Sequence, residues 1–140
     1  MAYSGYLIKI GNYIFPMKGI VLKSYKVAYK VQDLDPFRNG KGMLVRNVLP
    51  NIPAKVEFEI REGLTSTAYD VIMNNIRANY IKGKEAERRS TVTLFIPELG
   101  DYITQDMYLA EPEITIVRQE SPTVLIYDTI RFAWIGYWYD

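Results

Sequence analysis

The sequence predicts a mainly β fold of the α+β class: an antiparallel β-sandwich or open β-barrel with one packed α-helix and a long β-hairpin arm. Three observations predict it. Short runs along most of the chain alternate apolar and polar side chains, the period of a half-buried strand. One stretch near the middle changes to helical spacing. Residues 31–51, "VQDLDPFRNGKGMLVRNVLPN", set an Asn-Gly pair and a second glycine between apolar segments, as a hairpin requires. With 140 residues the chain fits a single β domain, 1–140, able to bury roughly two thirds of its unfolded surface.

The elements follow in order. "YLIKI" and "YIF" flank Gly11-Asn12, a dipeptide suited to a two-residue turn. In "SYKVAYKVQ", Tyr25, Val27, Tyr29 and Val31 alternate with Lys26, Ala28, Lys30 and Gln32, giving one apolar and one mainly polar face. "AKVEFEIR" repeats the pattern, with Val56, Phe58 and Ile60 opposite Lys55, Glu57, Glu59 and Arg61. "STVTLFIP" turns Val92, Leu94 and Ile96 inward and stops at Pro97, ahead of a turn at "PELGD". "YITQDMYLA" and "EITIVRQ" read as strands on either side of Pro112. After a turn at "ESPT" comes the long apolar run "VLIYDTIRFAWIGYWY". Its later half is apolar on both faces, which predicts a central strand, or one covered by a partner.

The helix is expected at about 66–82. Ala68, Ile72, Ile76 and Tyr80 recur four apart beside Tyr69 and Met73, while Asp70, Asn74 and Arg77 share a polar face. Thr65 or Ser66 can cap its start, Asp70 favours the positive end of its dipole, and Lys82-Gly83 offers a stop. "KGKEAERR" reads as a solvated connector.

Composition narrows the chemistry. The chain has no histidine and no cysteine, which excludes Ser-His-Asp, Cys-His and cysteine-zinc arrangements and any disulfide framework. No serine begins an S-x-x-K, and no phosphate-cradling glycine motif occurs. Glu57 and Glu59 share one strand face about 7 Å apart, a spacing that overlaps that of an inverting glycosidase but is read as a solvated polar face that also blocks edge pairing, with no substrate cleft implied. Asp33 and Asp35 begin like a calcium loop, but Phe37 and Arg38 stand where a ligand and a glycine belong. Lys23, Lys26, Lys30, Arg38, Lys41 and Arg46 lie among tyrosines, yet a net charge of +1 and the lack of a binding motif do not favour nucleic acid. The opening "MAYSGYLIKI" is too short an apolar run for a signal peptide, and no stretch reaches membrane-spanning length, so a soluble chain is expected. No catalytic, cofactor-binding or metal-binding residue is assigned, no cofactor is expected, and the chain is read as a non-enzyme.

Charge is uneven along the chain. Residues 1–61 carry ten Lys or Arg against four Asp or Glu, net +6; residues 62–140 carry seven against twelve, net −5. Separate surfaces for the two segments would favour head-to-tail association; strands that interleave them would erase the asymmetry.

The arm supplies the candidate interface: Asp33, Leu34, Asp35, Phe37, Arg38, Asn39, Met43, Leu44, Arg46 and Asn47. Asn39-Gly40 marks its turn, and Pro50 and Pro53 restrict its return. An arm this apolar either lies against a neighbouring molecule or folds back over its own core. Tyrosines contribute twelve of the aromatic residues, which suits half-buried strands and wet interfaces.

"MAYSGYLIKI", the D-L-D-x-x-x-N-G-x-G-x-L-x-R-N-x-L-P pattern from Asp33, "TSTAYDVIMNNIRANYI", "TQDMY" and "YDTIRFAWIGY" resemble a family of small tail proteins of phages and prophages of Gram-positive bacteria. The order of elements also resembles the tail-tube and distal-tail fold. The resemblance implies a virion structural subunit of the tail tube, tail tip or baseplate. Its partners would be other copies of itself, in a six-fold or pseudo-six-fold ring, and neighbouring tail proteins, with no nucleic-acid specificity and no membrane. It implies a protein of the virion, soluble in the bacterial cytoplasm before assembly, whose arm at 33–47 reaches an adjacent subunit. The alternative from the residues is a carbohydrate- or receptor-binding β module that stacks exposed aromatic rings on sugars.

Overall fold

The computed structural model describes residues 3–29, 37–38, 44–45 and 53–136. Among them the strands are β1 (Ile8–Ile10), β2 (Tyr13–Ile14), β3 (Ile20–Ala28), β4 (Phe37–Arg38), β5 (Leu44–Val45), β6 (Lys55–Ile60), β7 (Leu64–Thr65), β8 (Arg89–Ile96), β9 (Asp101–Leu109), β10 (Ile116–Ser121), β11 (Val124–Tyr127) and β12 (Ile130–Gly136). The helix α1 (Ser66–Ala78) lies between β7 and β8. Seven strands form one sheet in the order β2-β1-β8-β9-β12-β6-β3, three form a second in the order β10-β11-β7, and β4 and β5 pair apart from both. All the pairings are antiparallel, so the predicted fold class holds.

Alternation sets the core. Val56, Phe58 and Ile60 of β6 and Val92, Leu94 and Ile96 of β8 are buried, as their spacing predicts. The run 124–136 is divided between the sheets: β11 joins the small one, and β12 crosses to the centre of the large one between β9 and β6. On β12, Phe132 and Trp134 are buried on one side and Ala133 on the other, so both faces of the central strand are covered. Phe15 meets Phe58, Phe132 and Trp134 edge-on with ring centroids 5.0, 5.4 and 6.2 Å away. Such contacts add about 0.5–1.5 kcal/mol each to the area they bury.

The large sheet curls as an open barrel. β3 and β8 are far apart in strand order, yet the Tyr25 hydroxyl on β3 donates to the Phe95 carbonyl of β8 at 2.6 Å. Its ring stacks on Phe58 inside the curl. β3 starts at Ile20, earlier than the alternation suggests, because Ile20 and Val21 already pair with Ile60 and Glu59, ahead of an interruption in the ladder between Val21 and Lys26. Ser24 fills the interruption, donating to the Val21 carbonyl and accepting the Glu59 N–H at 2.8 Å.

The helix starts as expected, with the Thr65 hydroxyl accepting the Ala68 N–H at 3.1 Å. Ile72, Met73 and Ile76 enter the core and Val71 stays exposed. Two helix expectations need correction. The helix ends at Ala78, not near residue 82: the Asn79 N–H returns to Ile76 while the Ile81 N–H is taken by the Arg89 carbonyl, which pulls the chain towards β8. Asp70 lies beyond the first turn, which holds no acidic residue. Residues 82–87 are exposed and carry a Lys84–Glu87 ion pair, in keeping with a solvated connector, whereas Arg88 is half-buried and Arg89 already opens β8.

Candidate assembly surface

The arm is built on a short ribbon. Phe37 pairs with Val45 and Arg38 with Leu44 in antiparallel register, so two stretches of the expected arm pair with each other. Of the candidate interface residues, Phe37, Arg38 and Leu44 thus fall on the ribbon. Asp33, Leu34, Asp35, Asn39, Met43, Arg46 and Asn47, and with them the expected turn at Asn39-Gly40, lie outside the described residues. The ribbon joins neither of the two sheets. Its N-terminal base follows the edge strand β3, and its return leads into Ala54 and β6.

Ala54 is held tightly. Its N–H donates to Gln105 Oε1 at 3.0 Å, and its carbonyl accepts the Gly136 N–H at 2.7 Å. A Cβ on Gly136 would stand 2.8 Å from Gln105 Oε1 and 2.9 Å from the Ala54 nitrogen, so only glycine fits beside the arm's return path. A second clamp joins the helix end to the first hairpin. Gly11 turns with φ +58°, and Asn79 Oδ1 accepts the Asn12 N–H at 3.0 Å while Asn79 Nδ2 donates to the Asn75 carbonyl.

The charge segments interleave. β1 pairs with β8, and β6 with β12, so strands of the basic and acidic segments share ladders. Arg131 of β12 pairs with Glu57 of β6, whose cross-strand neighbour on β3 is Lys26. Glu57 and Glu59 therefore line a shallow open cleft together with Lys23, Lys26 and Arg131. That is a solvated mixed-charge face with no converging acid pair. Among the described residues no group of three or more Asp or Glu is placed to hold a metal ion, and no helix is long and apolar enough to cross a membrane.

Burial keeps the Tyr25 phenol protonated. Desolvation raises its pKa well above the usual tyrosine value, Tyr102 adds to the rise, and the bond to Phe95 offsets part of it. Tyr13, Tyr69 and Tyr80 are also raised, foremost by burial. Of these, Tyr25 acts as a structural donor, to the Phe95 carbonyl.

One surface feature escapes the alternation rule. β10 is a strand whose residues from Ile116 to Glu120 are all exposed. "EITIVRQ" identifies the strand, and Pro112 and Pro122 on either side were the available signal that it lies at an edge.

The overall fold is similar to that of chains in two solved particle structures. Over 99% of this chain and 96% of the other, with a TM-score of 0.53 and 13% identity, the fold matches a chain of the solved structure described as "Tail of empty GTA particle computed with helical refinement, C6 symmetry". A chain of "Virion of native gene transfer agent (GTA) particle" matches over the same shares, with a TM-score of 0.52 and 13% identity. Residues 1–137 match the family described as "Family of unknown function (DUF6711)", and the chain belongs to that family. No curated protein matches the chain.

Proposed function

We propose that this chain is a structural subunit of a phage-like tail, a component of the tail tube, tail tip or baseplate of phages or prophages of Gram-positive bacteria. The observation that carries the reading is the fold it shares, over nearly its whole length, with chains of a gene transfer agent tail and virion. The six-fold symmetry of that tail supports a ring of six copies or a pseudo-six-fold equivalent. Copies join through open strand edges and through the arm, whose Phe37, Arg38 and Leu44 sit on the ribbon and whose Asp33, Leu34, Asp35, Asn39, Met43, Arg46 and Asn47 flank it. The work of such a protein is assembly: backbone pairing, apolar burial and charge matching between subunits, with no turnover.

The sugar-binding alternative needs an exposed aromatic platform. Among the described residues Tyr3 is the one aromatic side chain among the exposed large hydrophobics, so no such platform supports it. The test is mass photometry and negative-stain imaging of the purified chain over a range of concentration. Ring or tube particles support the reading. A chain that stays monomeric at high concentration and on addition of preformed tails would refute it.

A further inference from the structure

We infer that the outer edge of β10 in one copy seats in an apolar groove between the β7–α1 segment and residues 13–19 of the next, joining copies head to tail. The inference rests on the ring-assembly reading and assigns that reading a contact distinct from the arm. It starts from a strand that buries almost nothing. Glu113, Ile114 and Thr115 are exposed, as is β10 from Ile116 to Glu120, with Ile114, Ile116 and Val117 at 38%, 56% and 44%. A strand exposed on both faces gains little from burial, and β10 pairs with β11 alone.

The free edge carries unused backbone groups. The Asp128 N–H donates to the Thr115 carbonyl at 2.9 Å, so the polar groups of Thr115 face β11. Backbone groups alternate sides along an antiparallel strand, which turns the N–H and C=O of Ile114 and Ile116 to the open side. Register shifts between Ile116 and Arg118 and between Gln119 and Ser121 break the ladder further on. The template is therefore short, as befits one defined partner in place of runaway pairing.

The receiving surface lies at the opposite edge of the same sheet, since β11 separates β10 from β7. There a groove of about 600 Å³ is lined by Tyr13, Pro16, Leu64, Ala68, Val71 and Ile72, with Val71 56% exposed. Two different surfaces on opposite edges are what a head-to-tail contact needs; one surface meeting itself would give a closed dimer. Charge selects the occupant. Lys18 and Arg61, both exposed, stand at the groove and at the apolar hollow beside it, and with Glu62 next to Arg61 the rim stays net positive. Glu111 and Glu113 immediately precede Ile114 and are exposed. A second copy of this chain thus offers isoleucines for the apolar floor and carboxylates for the cationic rim.

Because the chain contains no cysteine, single cysteines report the contact without background. Ile116→Cys and Val71→Cys are made separately, each checked for folding by circular dichroism, then mixed and mildly oxidised under conditions where particle mass is followed. The expected result is a disulfide-linked pair in the mixture, lost when either variant is oxidised alone and lost when Lys84→Cys replaces Ile116→Cys. As a second measure, Ile116→Lys and Val71→Lys each prevent assembly alone, whereas their mixture stops at dimers that use the one intact edge and the one intact groove, because the two lysines repel at the other contact. Ring-sized particles with no cross-link overturn this contact while leaving the ring reading standing, including the case where a different tail protein fills the groove. No assembly of any kind for the unmodified chain overturns both.

Discussion

The Tyr25 hydroxyl and the Phe95 carbonyl, 2.6 Å apart, tie the edge strand of the large sheet to β8 across the curl. The same hydroxyl lies 3.4 Å from the Leu7 carbonyl. β3 precedes the arm in the chain, and this bond ties that strand to the rest of the barrel.

Tyr25→Phe removes the bond but keeps the ring. The loss should be about 1–2 kcal/mol, since a buried carbonyl is left without its donor. The phenol also predicts a pH dependence. Its pKa in the folded chain is raised, so its contribution is fully present below the unfolded value near 10 and is lost as pH climbs through the folded one. Denaturant midpoints measured from pH 7 to 11 should fall at the alkaline end for the unmodified chain and fall less for Tyr25→Phe. Parallel curves would show that Tyr25 is not the titrating group.

Gly11 and Asn79 should behave as a coupled pair. Gly11→Ala puts a methyl 2.4 Å from Asn79 Oδ1 in a left-handed turn, at a cost of about 1–2 kcal/mol from the backbone alone. Asn79→Ala loses the Asn12 N–H bond, worth about 1 kcal/mol. The double variant removes the clashing amide, so thermal melts should show less destabilisation than the two single losses added together. Simple additivity would mean the two residues do not share a contact.

Gly136→Ala tests the seam at Ala54. The new methyl meets Gln105 and the Ala54 backbone at 3.0 Å or less, and overpacking of this kind costs about 1–3 kcal/mol. The exposed Gly83 has open space around its Cβ position but a positive φ of +85°, so Gly83→Ala reports backbone strain alone. A Gly136 variant no less stable than the unmodified chain in urea titration would contradict the packing described.

Thr65→Ala should cost about 1 kcal/mol through loss of the helix cap, and helical circular dichroism at elevated temperature should fall with it. Ser66→Ala removes the bond that Ser66 Oγ accepts from the Leu125 N–H, which ties α1 to β11. Its effect should therefore appear as loosening of the small sheet in hydrogen exchange.

Much of the fold could be read from periodicity because each buried strand alternates and α1 has a single apolar stripe. Val56-Phe58-Ile60 and Val92-Leu94-Ile96 needed nothing more than their spacing. The misplaced boundaries lie where a tertiary hydrogen bond overrides the local pattern. Arg89 draws Ile81 away from the helix, and Ser24 fills a gap in β3 that no repeat encodes. The division of 124–136 at Asp128-Thr129 is equally local: the Asp128 carboxylate accepts the Thr129 N–H, turning the chain between sheets inside one apolar run. Of the candidate interface, Phe37, Arg38 and Leu44 fall on the paired ribbon, and the Asn39-Gly40 turn lies outside the described residues. The exposed edge of β10 stayed hidden because alternation marks a strand without saying which neighbours it has.

The central claim is that copies of this chain complete one another. Its most direct test is the mass of assembled particles for the unmodified chain and for a variant lacking residues 35–45, measured side by side by mass photometry. The account predicts ring-sized particles from the former, and from the latter a folded chain that forms no ring or filament, with the circular dichroism spectrum of the core intact. Equal assembly by both, or a unmodified chain that remains monomeric at every concentration and alongside preformed tails, would contradict it.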